Sequence, residues 1–150
     1  MPGIIFDTNI WIAYEPTTLP KSLIMPAVVM QELVAGASDA EAVKRYATAR
    51  KKYEQEGKYL VPTGEDWWQA GKVINSLLRG LKSQAHGKTP KLHPDEKSRI
   101  VRDVLIARAA ISAGARLVTD NLADFEQIKR FCKVRLQSGH DYFKDKPNSE

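Results

Sequence analysis

The segment ARLVTDNLADF, residues 115–125, joins a short apolar run to two aspartates, Asp120 and Asp124. The run has the length and composition of a buried strand, and the apolar residues after it have the spacing of a helix. A second apolar run, residues 3–6, also ends at an aspartate, Asp7. Strand-like runs that alternate with helical patterns predict an α/β fold with a central parallel sheet.

The length and composition predict a single domain. The chain has 150 residues, of which 43% are hydrophobic, and this is enough to bury a core without disulfides. We assign residues 1–143 to this domain and residues 144–150 to a flexible polar tail. Cys132 is the single cysteine, which favours a reducing, cytoplasmic setting. No apolar run approaches the about 18 residues of a membrane span, so we expect no membrane association.

Two helices are predicted in quick succession before residue 60. Pro26 suits the first turn of a helix that ends at Gly36 or Ala37. Ser38 and Glu41 then form a capping-box pattern that predicts the start of the next helix.

The second half of the chain contains further helical patterns. An amphipathic stripe that begins at Trp67 predicts a helix, and we expect Trp67 and Trp68 to lie in the hydrophobic core of the protein. Residues 83–94 contain a glycine and two prolines and are predicted to form a loop. A helix is predicted over about residues 95–112, and a last short strand over residues 133–137.

Glu32 lies on an apolar helix face. In PAVVMQELVAG, residues 26–36, helical spacing places it beside Val28 and Val29. Burial of a lone carboxylate is costly, so such a residue needs a cation or another partner. The alternative is a helix rotated so that Glu32 meets solvent.

Asp103 lies on a second apolar helix, in RIVRDVLIARAAISAG, residues 99–114. The small residues after it allow close approach to the sheet, which would leave Asp103 at the rim of the packed face. The alternative is a salt bridge to Arg99 or Arg102, which are within reach along the helix.

Asp7 and Asp120 each end a predicted strand. The carboxyl ends of parallel strands share one edge of a sheet, where ligands bind, so these two carboxylates can converge. Each could instead cap a helix, and Asp124 could be an ordinary first-turn acid.

Converging carboxylates repel one another unless a cation lies between them. Oxygen ligands favour Mg²⁺, with Mn²⁺ as a substitute, and the chain has no Cys and His set for zinc. The three histidines are expected at the surface: His86, His93 and His140.

Four motifs in this order resemble those of the PIN-domain ribonucleases, most closely the VapC-type toxins: FDTN with Asp7, MQEL with Glu32, RDVLIARAA with Asp103, and LVTDNLADF. The resemblance spans nearly the whole chain. It implies a three-layer α/β/α fold with a central parallel sheet and an acidic Mg²⁺ site that cleaves RNA. It also implies a homodimer, held inactive by a cognate antitoxin whose tail occupies the acidic site.

The resemblance also implies roles for single residues. Asp7 and Asp103 correspond to the two main metal-binding aspartates, and Glu32 to an acid that completes the site directly or through water. Thr8 and Asn9 supply a hydroxyl and an amide that orient Asp7.

The last motif contains two candidates for the fourth acid of the site. Thr119, Asn121 and Asp124 match the positions that the family fills with Thr, Asn or Asp, and an acid before Phe. Asp120 falls on the variable position, yet its place at a strand end favours it. Both aspartates therefore remain candidates for the fourth acid.

The charge of the chain is compatible with an RNA partner. The formal net charge is +5, and it becomes +10 when the five candidate acids are set aside. We expect the RNA backbone to follow basic residues around the predicted loop, although such a run can also be merely solvated. These residues are Arg79, Lys82, Lys88, Lys91, Arg99 and Arg102.

The sequence thus favours a Mg²⁺-dependent endoribonuclease, with the toxin of a toxin-antitoxin pair as its role. The alternatives are a housekeeping RNA-processing nuclease and a noncatalytic RNA-binding module of the same fold. A haloacid-dehalogenase-type phosphotransferase is excluded, since it needs a second aspartate where this chain has Asn9.

Overall fold

The computed structural model describes residues 3–86 and 92–144. Within them, the strands are β1 (Ile4–Phe6), β2 (Met25–Pro26), β3 (Tyr59–Leu60), β4 (Arg116–Val118) and β5 (Arg135–Gln137). The helices are α1 (Thr8–Tyr14), α2 (Ala27–Ala35), α3 (Ala40–Gln55), α4 (Gly64–Gln84), α5 (Pro94–Ala113), α6 (Leu122–Lys129) and α7 (Gly139–Lys144).

The strands are parallel, as the alternation of patterns predicted. β4 lies between β1 and β5, with Leu117 in register with Ile5 and Leu136. β2 pairs in parallel with β3, and a parallel bridge between Ile4 and Leu23 connects this pair to β1. β2 and β3 were not predicted from the sequence, because two residues are too few to show the alternation of apolar and polar side chains that marks a strand.

The sheet is covered on both faces. In β1, Ile5 packs into a large core formed with α2, α4, α5 and α6. Ile4 and Phe6 point to the other face, where they meet Ile10 of α1 and Tyr142 of α7. Since successive side chains of a strand point to opposite faces, helices lie on both sides of the sheet. The predicted three-layer α/β/α architecture is confirmed.

A buried ion pair joins α4 to α5. The Arg108 Nη2 donates to Asp66 Oδ1 at 3.1 Å, and the Ser112 hydroxyl donates to the same oxygen. The Asp66 side chain also closes a capping box with Thr63 at the start of α4. The rotation of α4 about its own axis is therefore fixed by the polar contacts of Asp66 as well as by the packing of apolar side chains.

The prediction that Trp67 and Trp68 lie in the core is wrong. Their exposed fractions are 54% and 66%. The buried residues at the start of α4 are Asp66, Ala70 and Val73, which share one helix face. The pairing of Asp66 with Arg108 brings this face inward and turns both tryptophans toward the surface.

The predicted cap of α3 is also wrong. Asp39, rather than Ser38, precedes the helix, and its side chain accepts a hydrogen bond from the Ala42 N–H at 2.8 Å. Asp and Ser are equally good caps, so the local pattern did not separate them.

Other predicted boundaries are close to those observed. α5 begins at Pro94 and ends at Ala113, and α4 extends into the predicted loop as far as Gln84. The predicted tail begins at Lys144, which belongs to the unpredicted α7, and its remaining residues lie outside the described part of the chain. Among the described residues, no helix has the length and apolar character that crossing a membrane requires.

Candidate active site

Asp7 is held at the carboxyl end of β1. Its N–H donates to the Val118 carbonyl of β4 at 2.9 Å. Its Oδ1 accepts from the Thr8 N–H and its Oδ2 from the Thr119 hydroxyl, both at 2.8 Å. Burial raises the pKa of Asp7, the hydrogen bonds from Thr119 and Thr8 lower it, and the charge of Glu32 raises it again. Asp7 thus caps α1 and also belongs to an acidic group.

Thr119 links Asp7 to the last motif. Its hydroxyl accepts from the Asn121 N–H at 2.9 Å while it donates to Asp7. The Asn121 side-chain amide in turn donates to Asp124 Oδ2 at 3.0 Å. A chain of hydrogen bonds therefore runs from the end of β1 to the first turn of α6.

Glu32 lies on α2 and faces this same edge. The Thr8 hydroxyl donates to Glu32 Oε1 at 3.0 Å. Glu32 Oε2 lies 3.7 Å from the Arg102 Nε, and the side chain is 21% exposed. The helix is therefore not rotated to present Glu32 freely to solvent, and Thr8 contacts both Asp7 and Glu32.

Asp103 lies on α5, and the other acids affect its pKa. It is 9% exposed. Burial raises the pKa of Asp103 from 3.8 to about 7, and the negative charges of Asp7, Asp124 and Glu32 contribute to the rise, while Arg99 opposes it. The structure thus brings together four of the five predicted acids.

Two arginines of α5, Arg99 and Arg102, border the acidic group. Arg99 Nε lies 3.9 Å from Asp124 Oδ2, and Arg102 pairs with Glu32. The expected alternative, a salt bridge from one of these arginines to Asp103, is not the pairing observed. Both side chains remain about half exposed and can turn toward an anionic ligand.

The other predicted RNA-binding residues precede α5 in the chain. Arg79 and Lys82 are exposed on α4. Lys88 and Lys91 fall outside the described residues.

The contacts of Asp120 join it to α1 and α7. Its Oδ1 accepts from the Gly139 N–H of α7 at 2.9 Å, and a hydrogen bond with Asp120 raises the pKa of Tyr14. A Cβ on Gly139 would lie 2.7 Å from Asp120 Oδ1, so glycine permits this close approach. The Asp120 N–H donates to Asn9 Oδ1 at 3.4 Å. Asn9, expected to orient Asp7, therefore contacts Asp120, and Asp120 connects α1, β4 and α7.

The donor set suits a hard cation. Within residues 3–86 and 92–144, no three Asp, Glu, His or Cys side chains are placed so that they could hold a metal ion together. Mg²⁺ usually binds through one or two carboxylates and keeps several waters, so two of these carboxylates would suffice. The charges converge on Asp103, and all three histidines are exposed. The residues present fit Mg²⁺ better than zinc.

A pocket of about 340 Å³ opens beside the acids. Asp103 and Asp124 form part of its wall, and the remaining lining is largely apolar, from α4, α5 and α6. Sequence reasoning missed it, because its walls come from segments far apart in the chain.

Solved structures of similar architecture include three VapBC complexes. A chain of DNA-bound VapBC from Salmonella typhimurium superposes with a TM-score of 0.56 at 20% identity, covering 93% of this chain and 99% of that one. VapBC-1 from nontypeable Haemophilus influenzae gives 0.54 at 22%, covering 91% and 97%. VapBC2 from Rickettsia felis, bound to a promoter DNA fragment, gives 0.52 at 20%, covering 90% and 97%.

The chain has the PIN-like fold. The fold predicted from the four motifs is thereby confirmed. The sequence matches no protein-family model, and no curated protein is significantly similar to it.

Proposed function

We propose that this protein is a Mg²⁺-dependent endoribonuclease that hydrolyses phosphodiester bonds of RNA, with Mn²⁺ as an alternative ion. The observation that carries the proposal is the position of Asp103, nearly buried and surrounded by the charges of Asp7, Glu32 and Asp124. Four acids near one sheet edge repel one another, and a bound cation would relieve that repulsion.

Asp7 and Asp103 would hold the ion, and Glu32 and Asp124 would contact it directly or through water. Bound Mg²⁺ supplies an activated water and neutralises charge that develops on the phosphate. Because water is the nucleophile in such hydrolysis, no serine or histidine is needed in the site.

The surrounding residues keep the acids in place. Both oxygens of Asp7 accept hydrogen bonds, from the Thr8 N–H and the Thr119 hydroxyl, and one oxygen of Glu32 accepts from the Thr8 hydroxyl. These carboxylates are therefore oriented before any ligand arrives. Arg99 and Arg102 lie beside the acids and are suited to contact the RNA backbone. We propose that Arg79, Lys82, Lys88 and Lys91 add further contacts to the RNA.

For the biological role, we propose the toxin of a toxin-antitoxin pair. The support is the fold shared with chains of VapBC complexes, over nearly the full length of both. A cognate antitoxin that inserts a basic side chain among the carboxylates would replace the charge of the cation. A homodimer and a cytoplasmic location complete the proposal. If no antitoxin gene lies beside the gene for this protein, a housekeeping nuclease role is favoured instead.

The experiment is cleavage of total RNA by purified, antitoxin-free protein in Mg²⁺ and in EDTA. We expect cleavage in Mg²⁺ alone, and a loss of about 100-fold or more in Asp7→Asn and Asp103→Asn, the scale expected when electrostatic stabilisation is removed. Equal rates in all three proteins would contradict the mechanism. Absence of cleavage by the wild-type protein would favour a noncatalytic RNA-binding module.

A further inference from the structure

The pocket beside the acids combines two kinds of wall. Asp103 and Asp124 belong to the candidate active site, whereas Leu77, Ile100 and Phe131 are apolar. Its volume, about 340 Å³, lies within the range of small-ligand pockets. A ligand that fits can present one group to the acidic end and a flat, uncharged body to the apolar wall.

Phe131 provides an aromatic surface at this pocket. It follows α6 directly, and its side chain is 40% exposed. The Arg130 guanidinium carbon lies 5.6 Å from the centre of the Phe131 ring. Arg130 Nη1 also donates to Gln127 Oε1 at 3.2 Å, which holds the guanidinium beside the ring. An aromatic ring paired with an arginine is the kind of surface on which unpaired bases stack.

We propose that this pocket receives one unpaired nucleobase of single-stranded RNA, next to the phosphate bound at the acids, and that the base stacks on Phe131. This inference rests on the proposed function. A phosphate and its base are separated by one sugar, so a phosphate near Asp103 and Asp124 places a base at the pocket they share. A paired base cannot enter, since it would have to leave the duplex stack.

Four polar groups around the pocket fit the same ligand, whereas the acidic Glu96, which also lines it, does not add to the fit. Gln127 and Gln84 lie in its wall and carry amides that can hydrogen-bond base edges. Arg99 and Arg130 also line it and can contact the phosphates on either side of the inserted base.

The test is equilibrium binding of a single-stranded RNA hexamer in Mg²⁺. Its linkages are phosphorothioates, which slow hydrolysis, and one residue is 2-aminopurine, whose fluorescence falls on stacking. A second hexamer has an abasic residue at that position, and the position is moved along the strand. At one position, we expect wild-type protein to bind the 2-aminopurine RNA about tenfold more tightly than the abasic RNA, as loss of one stacked base predicts.

Variants locate the effect. Phe131→Ala should bind both hexamers equally and weakly, whereas Phe131→Tyr, which keeps a ring, should retain the preference. Trp68→Ala is the matched control, since it removes an exposed aromatic of α4 that does not line the pocket. Circular dichroism and the urea midpoint establish that each variant is folded.

The proposal is wrong if Phe131→Ala keeps the wild-type preference for the base. It is also wrong if Phe131→Ala leaves RNA binding unchanged and weakens binding of a basic amphipathic peptide, because the pocket would then be a protein-binding site. Hydrolysis of unmodified RNA is measured separately. Base-dependent binding without hydrolysis would refute the proposed function alone, and hydrolysis without base dependence would refute the pocket alone.

Discussion

The Thr119 hydroxyl donates a hydrogen bond to Asp7 Oδ2 at 2.8 Å, and this bond joins residues 112 positions apart in the sequence. Both side chains are buried, so the end of β4 fixes the carboxylate that ends β1. The geometry of the candidate metal site is thus set by the packing of two neighbouring strands.

Thr119→Val tests this bond, because valine has nearly the same shape and lacks the hydroxyl. We expect a loss of about 1–3 kcal/mol in the free energy of unfolding, the cost of leaving a buried acceptor unsatisfied. RNA cleavage should fall as well, and Thr119→Ser should preserve both properties. Urea unfolding and initial cleavage rates provide the measurements. A Thr119→Val protein that matches wild type would show that Asp7 is held by other contacts.

The pH dependence of stability tests the environment of Asp103. Its pKa rises from 3.8 to about 7 on folding, so the folded chain binds this proton more tightly than the unfolded chain does. The stabilisation is complete below about pH 4 and is lost as the pH rises through 7. In metal-free protein, the Asp103 contribution should decline over this window, and Asp103→Asn should remove it. Thermal unfolding in EDTA between pH 4 and pH 8 measures the difference. A parallel pH profile in the variant would contradict it.

The buried pair of Asp66 and Arg108 should be costly to break. Arg108→Met leaves Asp66 buried without its cation, and we expect a loss of about 3 kcal/mol in the free energy of unfolding. The control is Lys44→Ala, which removes the exposed pair with Glu41 and should cost less than about 1 kcal/mol. Urea unfolding compares the two. Similar losses would mean that Asp66 does not need Arg108.

The exposed tryptophans provide a test of the fold. Trp68→Lys should change the free energy of unfolding by no more than about 0.5 kcal/mol, as for other surface positions. Phe125→Ala removes a fully buried ring and should cost about 3–5 kcal/mol. Large destabilisation by Trp68→Lys would restore the original expectation that this side chain belongs to the core.

Much of the candidate site could be predicted because its residues stand out locally. Asp7 follows an apolar strand, and Glu32 and Asp103 interrupt apolar helix faces. An acid in such a place is costly and therefore informative. The parallel sheet then brings the strand ends together without any knowledge of particular contacts.

The remaining features depend on contacts between distant residues. Asp120 is drawn to the Gly139 N–H and to Tyr14, whereas Asp124 faces Asp103. Within residues 118–125, the motif favours Asp124 and the strand end favours Asp120, so the local sequence does not decide between them. The exposure of Trp67 and Trp68 has a similar origin, since it follows from the pairing of Asp66 with Arg108 across two helices.

In the proposed Mg²⁺ site, Asp7 and Asp103 hold the ion, Glu32 and Asp124 contact it directly or through water, and Asp120 does not take part. The most direct measurement is the initial rate of RNA cleavage across a range of Mg²⁺ concentrations, for wild type, Asp124→Asn and Asp120→Asn. Asp124→Asn should require about tenfold more Mg²⁺ or lose activity by a similar factor, on the scale of supporting ligands. Asp120→Asn should follow the wild-type Mg²⁺ curve. The reverse result, with Asp120→Asn impaired and Asp124→Asn unaffected, would contradict the account.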